Sequence, residues 1–176
     1  MPTIQPDQAM LLLQLNLPTL KNEHKITQKI LEAIPQDKGD YRPSPNCMSA
    51  LDLAWHIAAS ENMFLAGIVS GTFNFGGNAR PDSVRTPADV ARWYSEKFDE
   101  NFQALTKLSA TELTQVVDFR GMFQHPAVLY FQFTMHHSVH HRGQLSAYLR
   151  PMGAKVPSIY GESYDDKQTR QAQAGA

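Results

Sequence analysis

Four of the seven histidines in this 176-residue chain stand at positions 136, 137, 140 and 141, inside an uninterrupted stretch bounded by Pro126 and Pro151. On an α-helix, residues four apart share a face with Cβ atoms about 5–6 Å apart, so two imidazoles at that spacing reach one metal ion. Both His137/His141 and His136/His140 satisfy the spacing, which alone does not choose between them. The apolar stripe does: Tyr130, Phe133, Thr134, Leu145 and Tyr148 fall on the side carrying His137 and His141, leaving His136 and His140 toward its edge. An inward pair of imidazoles is costly unless hydrogen-bonded or ligated. Two imidazoles rarely suffice, and a third belongs on another helix facing the same core. His56, in Leu51-Asp-Leu-Ala-Trp-His56-Ile, is the natural candidate, with His24 and His125 less well placed. Three protein nitrogens leave coordination positions open to water or substrate. Periodicity suggests this metal without establishing it, because a single histidine on an apolar helix face is more often a hydrogen-bonded core residue.

The rest of the chain reads as helices. Leu20, Ile30, Leu31 and Ile34 mark a first helix over roughly Pro18 to Ile34, stopped by Pro35. Pro35 to Asn46 is a loop by its prolines, Gly39 and Asp40. Ser49 followed by Asp52 resembles a capping box and opens a second helix to about Ser70. Gly71, Gly76, Gly77 and Pro81 then mark a crossover to Arg85, longer than a usual helix connection and a candidate mobile lid carrying Phe73 and Phe75. Thr86-Pro87-Ala88-Asp89 starts a third helix, along which Val90, Tyr94, Phe98, Phe102 and Leu105 recur at helical spacing. Ser109 to Glu112 is a capping box for a short turn, after which Val116 to Phe119 reads as extended. Pro126 begins a fourth helix that Pro151 and Gly153 end. The pattern is an all-α four-helix bundle with a glycine-rich crossover between helices two and three. Residues 1–164 read as one domain, and the polar segment 165–176 as a flexible tail.

Composition narrows the function classes. Sixteen Lys and Arg balance seventeen Asp and Glu, for a formal net charge of -1, so no electrostatic case exists for nucleic acid or an anionic membrane as partner. The apolar run Met10 to Leu13 is too short to span a bilayer, which needs about 20 residues, and no secretory signal flanks it. Cys47 is the only cysteine, which rules out an intrachain disulfide and fits a reducing cytoplasm.

The string His137-Ser-Val-His-His141-Arg142-Gly143-Gln144-Leu145, with the upstream Leu53-Ala-Trp-His56-Ile, resembles the DinB-like family of small bacterial metal-binding helical bundles, over most of the chain. The segment Leu149-Arg150-Pro-Met-Gly-Ala-Lys-Val-Pro157-Ser-Ile-Tyr160-Gly161 looks like the end of one subgroup. The resemblance implies that His56, His137 and His141 are the metal ligands, with zinc or nickel favoured and iron possible by ligand type. The family is similar in fold to the mycothiol-dependent maleylpyruvate isomerase and the bacillithiol S-transferases, which implies a thiol-dependent transferase or hydrolase acting on a small electrophile, with a low-molecular-weight thiol as partner. Two readings stand beside it: a non-catalytic metal-binding or stress-response module, and a structural metal in a bundle that pairs as a homodimer.

Other residues carry alternatives. Arg142 and Gln144 orient ligands or substrate, or else pack. Asp52 accepts a ligand N–H or serves its helix cap. Glu61, five residues past His56, is turned away from it and expected in a structural ion pair. Cys47 is a thiol near the bundle mouth or a small buried hydrophobe. Tyr160 folds over the pocket or anchors the tail. No general base accompanies the histidines in the manner of His-Glu-x-x-His.

Overall fold

The computed structural model describes residues 3–174. Four long helices form the bundle: α1 (Pro6–Glu32), α2 (Ala50–Ser70), α3 (Pro87–Leu105) and, after a short α4 (Ala110–Thr114) and a hairpin of β1 (Val116–Phe119) and β2 (Phe123–Pro126), α5 (Tyr130–Leu149). A last helix, α6 (Tyr164–Ala174), follows. α2 is the central member, packed along both α3 and α5, while α1 closes the other side against α3, α4 and α5. No helix among the described residues is long and apolar enough to cross a membrane.

Local chemistry sets most boundaries. Ser49 Oγ accepts from the Asp52 backbone N–H to start α2, and Gly71 ends it at a φ of 71°, a left-handed conformation that glycine adopts without a Cβ penalty. Thr86 and Asp89 form a reciprocal capping box at α3, as Ser109 and Glu112 do at α4. Two expected boundaries move. The first helix starts at Pro6, twelve residues before Pro18, which lies inside it. A mid-helix proline removes one backbone bond and strains the preceding turn; here the side chains of Asn16 and Thr19 donate to the carbonyls of Leu12 and Leu15 in that region. The fourth bundle helix starts at Tyr130, because Pro126 ends β2 and residues Ala127–Leu129 make a 3₁₀ turn. His125 therefore sits on a strand, paired with Val117.

Residues 165–174 of the polar C-terminal segment are helical, and residues 175 and 176 lie outside the described residues. α6 buries no residue and is attached through Asp165, which accepts from Arg150 and the Val156 backbone, and through Asp166, which accepts from Ser158.

Two apolar clusters fill the interior. One gathers Ile30, Leu31, Leu53, Ile57, Val90, Leu145 and Leu149. The other gathers Leu13, Phe64, Ile68, Leu113, Tyr130 and Phe131 at the hairpin end. There, Phe64 stacks on Phe119 with centroids 5.6 Å apart, Phe119 on Phe123 at 4.9 Å, and Phe73 meets Tyr130 edge-on at 4.8 Å. Phe73 brings the crossover into this cluster over Gly67, where an added Cβ would lie 2.2 Å from its ring. The Trp55 indole donates to Asn78 O, a further tie between crossover and α2.

Candidate metal centre

His56 faces α5 from the middle of α2, and His137 and His141, one turn apart on α5, face it in return. His56 Nε2 lies 3.1 Å from His137 Nε2 and 3.2 Å from His141 Nε2. Among the described residues these three form a group that could hold a metal ion, and no other His, Cys, Asp or Glu joins it. All three are half-buried, whereas His136 and His140 are exposed. The expected edge position of the second pair thus becomes an outward one.

The separations meet a geometric test. With metal–nitrogen bonds of about 2.0–2.1 Å, two imidazole nitrogens at right or tetrahedral angles to one ion lie roughly 2.9–3.4 Å apart. A hydrogen-bonding test points the same way. Each neutral imidazole nitrogen offers either one lone pair or one N–H, so His56 Nε2 cannot serve two neighbours well at once. A cation accepts all three lone pairs.

Protonation is disfavoured at His137 and His56. Burial, followed by repulsion from His141, His56 and His140, holds His137 down at about 4, and burial with His141 lowers His56. The neutral, ligating form is favoured in each case. His141 Nδ1–H donates to Gln144 Oε1 at 3.1 Å, which leaves its Nε2 as the lone-pair atom. Of the two readings of Gln144, the geometry supports the orienting one. His137 Nδ1 is buried without a hydrogen-bond partner among the described residues, at a cost of about 1–3 kcal/mol. That ring therefore has only the cluster in which to satisfy a nitrogen.

The remaining candidates lie elsewhere. Asp52 does not reach a ligand; its carboxylate pairs with Arg42 and Arg80 at 3.3 and 3.6 Å. Cys47 packs half-buried against the core that includes Tyr148. Arg142 is fully buried and packs rather than facing a substrate: it pairs with the Glu23 carboxylate at 2.7 Å and donates to Thr27 Oγ1 and Tyr160 Oη. Tyr160 donates in turn to Glu23, so it ties the segment between α5 and α6 to α1. His24 is buried between α1 and α3, stacked on Phe98 at 3.7 Å, and burial lowers it to about 4.

Glu61 departs from expectation. It is turned away from His56, but it forms no ion pair among those found in the described residues. It lies 2% exposed in the interior and accepts from Tyr94 Oη and Ser138 Oγ, each at 2.7 Å. No local pattern marks Ser138 or Glu23 as a partner of a buried group. The available signal was a lone carboxylate inside the apolar run of α2, which implies buried donors opposite it.

The comparisons with known proteins agree with this architecture. The DinB family profile matches residues 10–174. The uncharacterised protein YjoA of Bacillus subtilis (strain 168) is 28% identical over 134 residues, covering 75% of this chain and 85% of the relative. YrdA of the same organism, also uncharacterised, is 29% identical over 147 residues, covering 82% and 85%. The crystal structure of the DinB-like protein YjoA superposes with a TM-score of 0.70 at 25% identity, over 84% of this chain and 99% of that one. A DinB-like protein from Bacillus cereus ATCC 10987 gives the same TM-score at 23% identity, over 82% and 95%, and shares the fold.

Proposed function

Since this chain belongs to the DinB family, we propose that it is a metal-dependent enzyme, holding one divalent ion, zinc or nickel, through Nε2 of His56, His137 and His141, and acting with a small thiol on an electrophile. The observation that carries the reading is the convergence of the three Nε2 atoms at separations of 3.1 and 3.2 Å. A bound divalent ion would act as a Lewis acid, lowering the pKa of the nucleophile and orienting it.

The residues around the histidines favour a thiol over water. Glu61 is turned into the interior and engaged by Tyr94 and Ser138, and Asp52 is held by arginines, so no carboxylate stands ready as a general base. A nucleophile that sheds its own proton suits such a site. A thiol, with an ordinary pKa of about 8.5, needs far less help than water at 15.7. Half-buried imidazoles leave room for a small ligand to approach.

Elemental analysis of the purified protein tests the metal, with about one ion per chain expected, lost in His56→Ala, His137→Ala and His141→Ala but kept in His136→Ala. Full retention in the His141 variant would overturn the triad. Titrating a cobalt-substituted sample with low-molecular-weight thiols tests the chemistry. A sulfur-to-cobalt charge-transfer band, and faster consumption of an electrophile panel with metal than without, support the transferase. If no thiol perturbs the cobalt spectrum, the second reading, a structural ion, replaces it.

A further inference from the structure

Each of the two clustered imidazoles on α5, His137 and His141, is followed by a buried polar residue fastened to a different helix. Ser138, after His137, donates to Glu61 on α2. Arg142, after His141, is fastened to Glu23 and Thr27 on α1. Glu61 accepts a second bond from Tyr94 on α3, so its carboxylate joins α2 to both α3 and α5.

This arrangement has more directional force than the packing beside it. Around His56, the buried face of α2 is rich in small residues, Ala54, Ala58 and Ala59 among them, and apolar contacts of that kind fix distance better than rotation. A slip of one residue along a helix moves a side chain by about 1.5 Å and turns it by about 100°. A metal site tolerates roughly 0.2 Å in its bond lengths. Two hydrogen bonds of 2.7 Å on opposite oxygens of one buried carboxylate fix the Glu61 side chain against α3 through Tyr94 and against α5 through Ser138, so the carboxylate that meets α5 is itself held in place.

We infer that Glu61 is a positioning residue of the histidine centre: held between Tyr94 and Ser138, it sets the register of α2 against α5 that brings His56 to His137 and His141. The inference rests on the metal-binding reading above. The sequence separation fits this role. Glu61 is five residues past His56 on α2 and Ser138 one past His137 on α5, so the brace lies beside the imidazoles on the interior side of the seam. Burial pushes the Glu61 carboxyl above its ordinary range, and its two donors, with Arg142 nearby, counter only part of that cost.

The test compares zinc affinity, by competition with a chromophoric chelator, and the d–d spectrum of the cobalt form. Ser138→Ala removes only the α5 arm and keeps a helix-favouring residue. It is expected to weaken zinc binding by about 10–100-fold, the range seen when outer partners of metal ligands are lost, and to shift the cobalt bands. Glu61→Ala should do the same, and Glu61→Gln, which spans the same gap, should recover most of the affinity, because one hydroxyl still donates to the amide oxygen while the other reverses to accept from the amide NH2. Leu113→Ala, in α4, serves as a control that lowers the melting temperature without touching the brace. Wild-type affinity and an unchanged cobalt spectrum in Ser138→Ala would overturn the inference while leaving the metal site standing, as would an equal affinity loss in Leu113→Ala. Absence of zinc binding by the wild-type protein would overturn the metal-binding reading itself, and this inference with it.

Discussion

The histidine layer and the hairpin end occupy neighbouring stretches of the same seam between α2 and α5, yet they are held by opposite kinds of contact. At the histidines, Glu61, Ser138, Arg142 and Glu23 make short bonds between charged or hydroxyl groups, and each partner is specified by geometry. At the hairpin end, Phe64, Phe73, Phe119, Phe123 and Tyr130 stack and cross at centroid distances of 4.8 to 6.3 Å. Aromatic packing tolerates exchange of one apolar group for another of similar volume. A buried charge network does not, because losing one member strands the rest. The difference teaches that the chain keeps its directional contacts where atoms must converge within tenths of an ångström, and relies on bulk burial where they need only exclude water.

The largest expected contrast comes from Arg142→Ala. It leaves the Glu23 carboxylate, 12% exposed, without its cation, and should cost about 3–5 kcal/mol in chemical denaturation, with weakened zinc binding. A loss under 1 kcal/mol would show that the network contributes no more than the packing around it.

His24 sharpens the comparison, since it is a polar ring buried by stacking, with no bond to its Nδ1 among the described residues. Burial holds it at about 4, against 6.5 in the unfolded chain. Between those values the unfolded chain binds a proton that the folded chain does not. Stability is therefore full above pH 6.5, falls as pH drops through the window, and levels off below about 4, a total of roughly 2–3 kcal/mol. His56 and His137 are lowered as well, so the measurement is the difference between wild type and His24→Phe in metal-free protein. A difference that stays constant from pH 7 to 4.5 would refute it.

At the hairpin end, Phe119→Leu should cost less than about 1.5 kcal/mol and leave zinc affinity unchanged. Loss of metal in this variant would erase the distinction between the two regions. The smallest effect is expected from Thr86→Ala, which removes the cap of α3 for about 1 kcal/mol, again without a change in metal content, as thermal melts and elemental analysis would show.

These contrasts also explain what could be read from residues alone. Local periodicity, a four-residue spacing on a helix whose apolar face is visible with a single histidine in another apolar helix, suggests the histidine group, and the family resemblance implies it. Its supports were not legible. Glu23 lies 119 residues from Arg142 and Glu61 lies 77 from Ser138, and no local pattern announces such a pairing. Glu61 was therefore expected in an ion pair, as carboxylates on helices usually are. The start of α1 was misplaced because proline is the strongest local stop signal, and Pro18 is overridden by Ala9 and Leu13, whose burial extends the helix backward. Pro126 misled in the same way, ending a strand where it was read as opening a helix. Extended structure at Val116 to Phe119 was anticipated, but not its partner strand.

The close fit of Phe73 over Gly67 means that the placement of the crossover is written partly outside the crossover. A methyl group at position 67 would meet the ring at 2.2 Å, so even alanine there would expel the phenylalanine and with it the connection. Transplanting residues 71–86 onto another bundle would thus carry the hinge without its socket. Homologues that share the loop but hold a larger residue at the equivalent of Gly67 should route the connection differently, so diversification of this region is expected to begin in the helix and be followed by the loop.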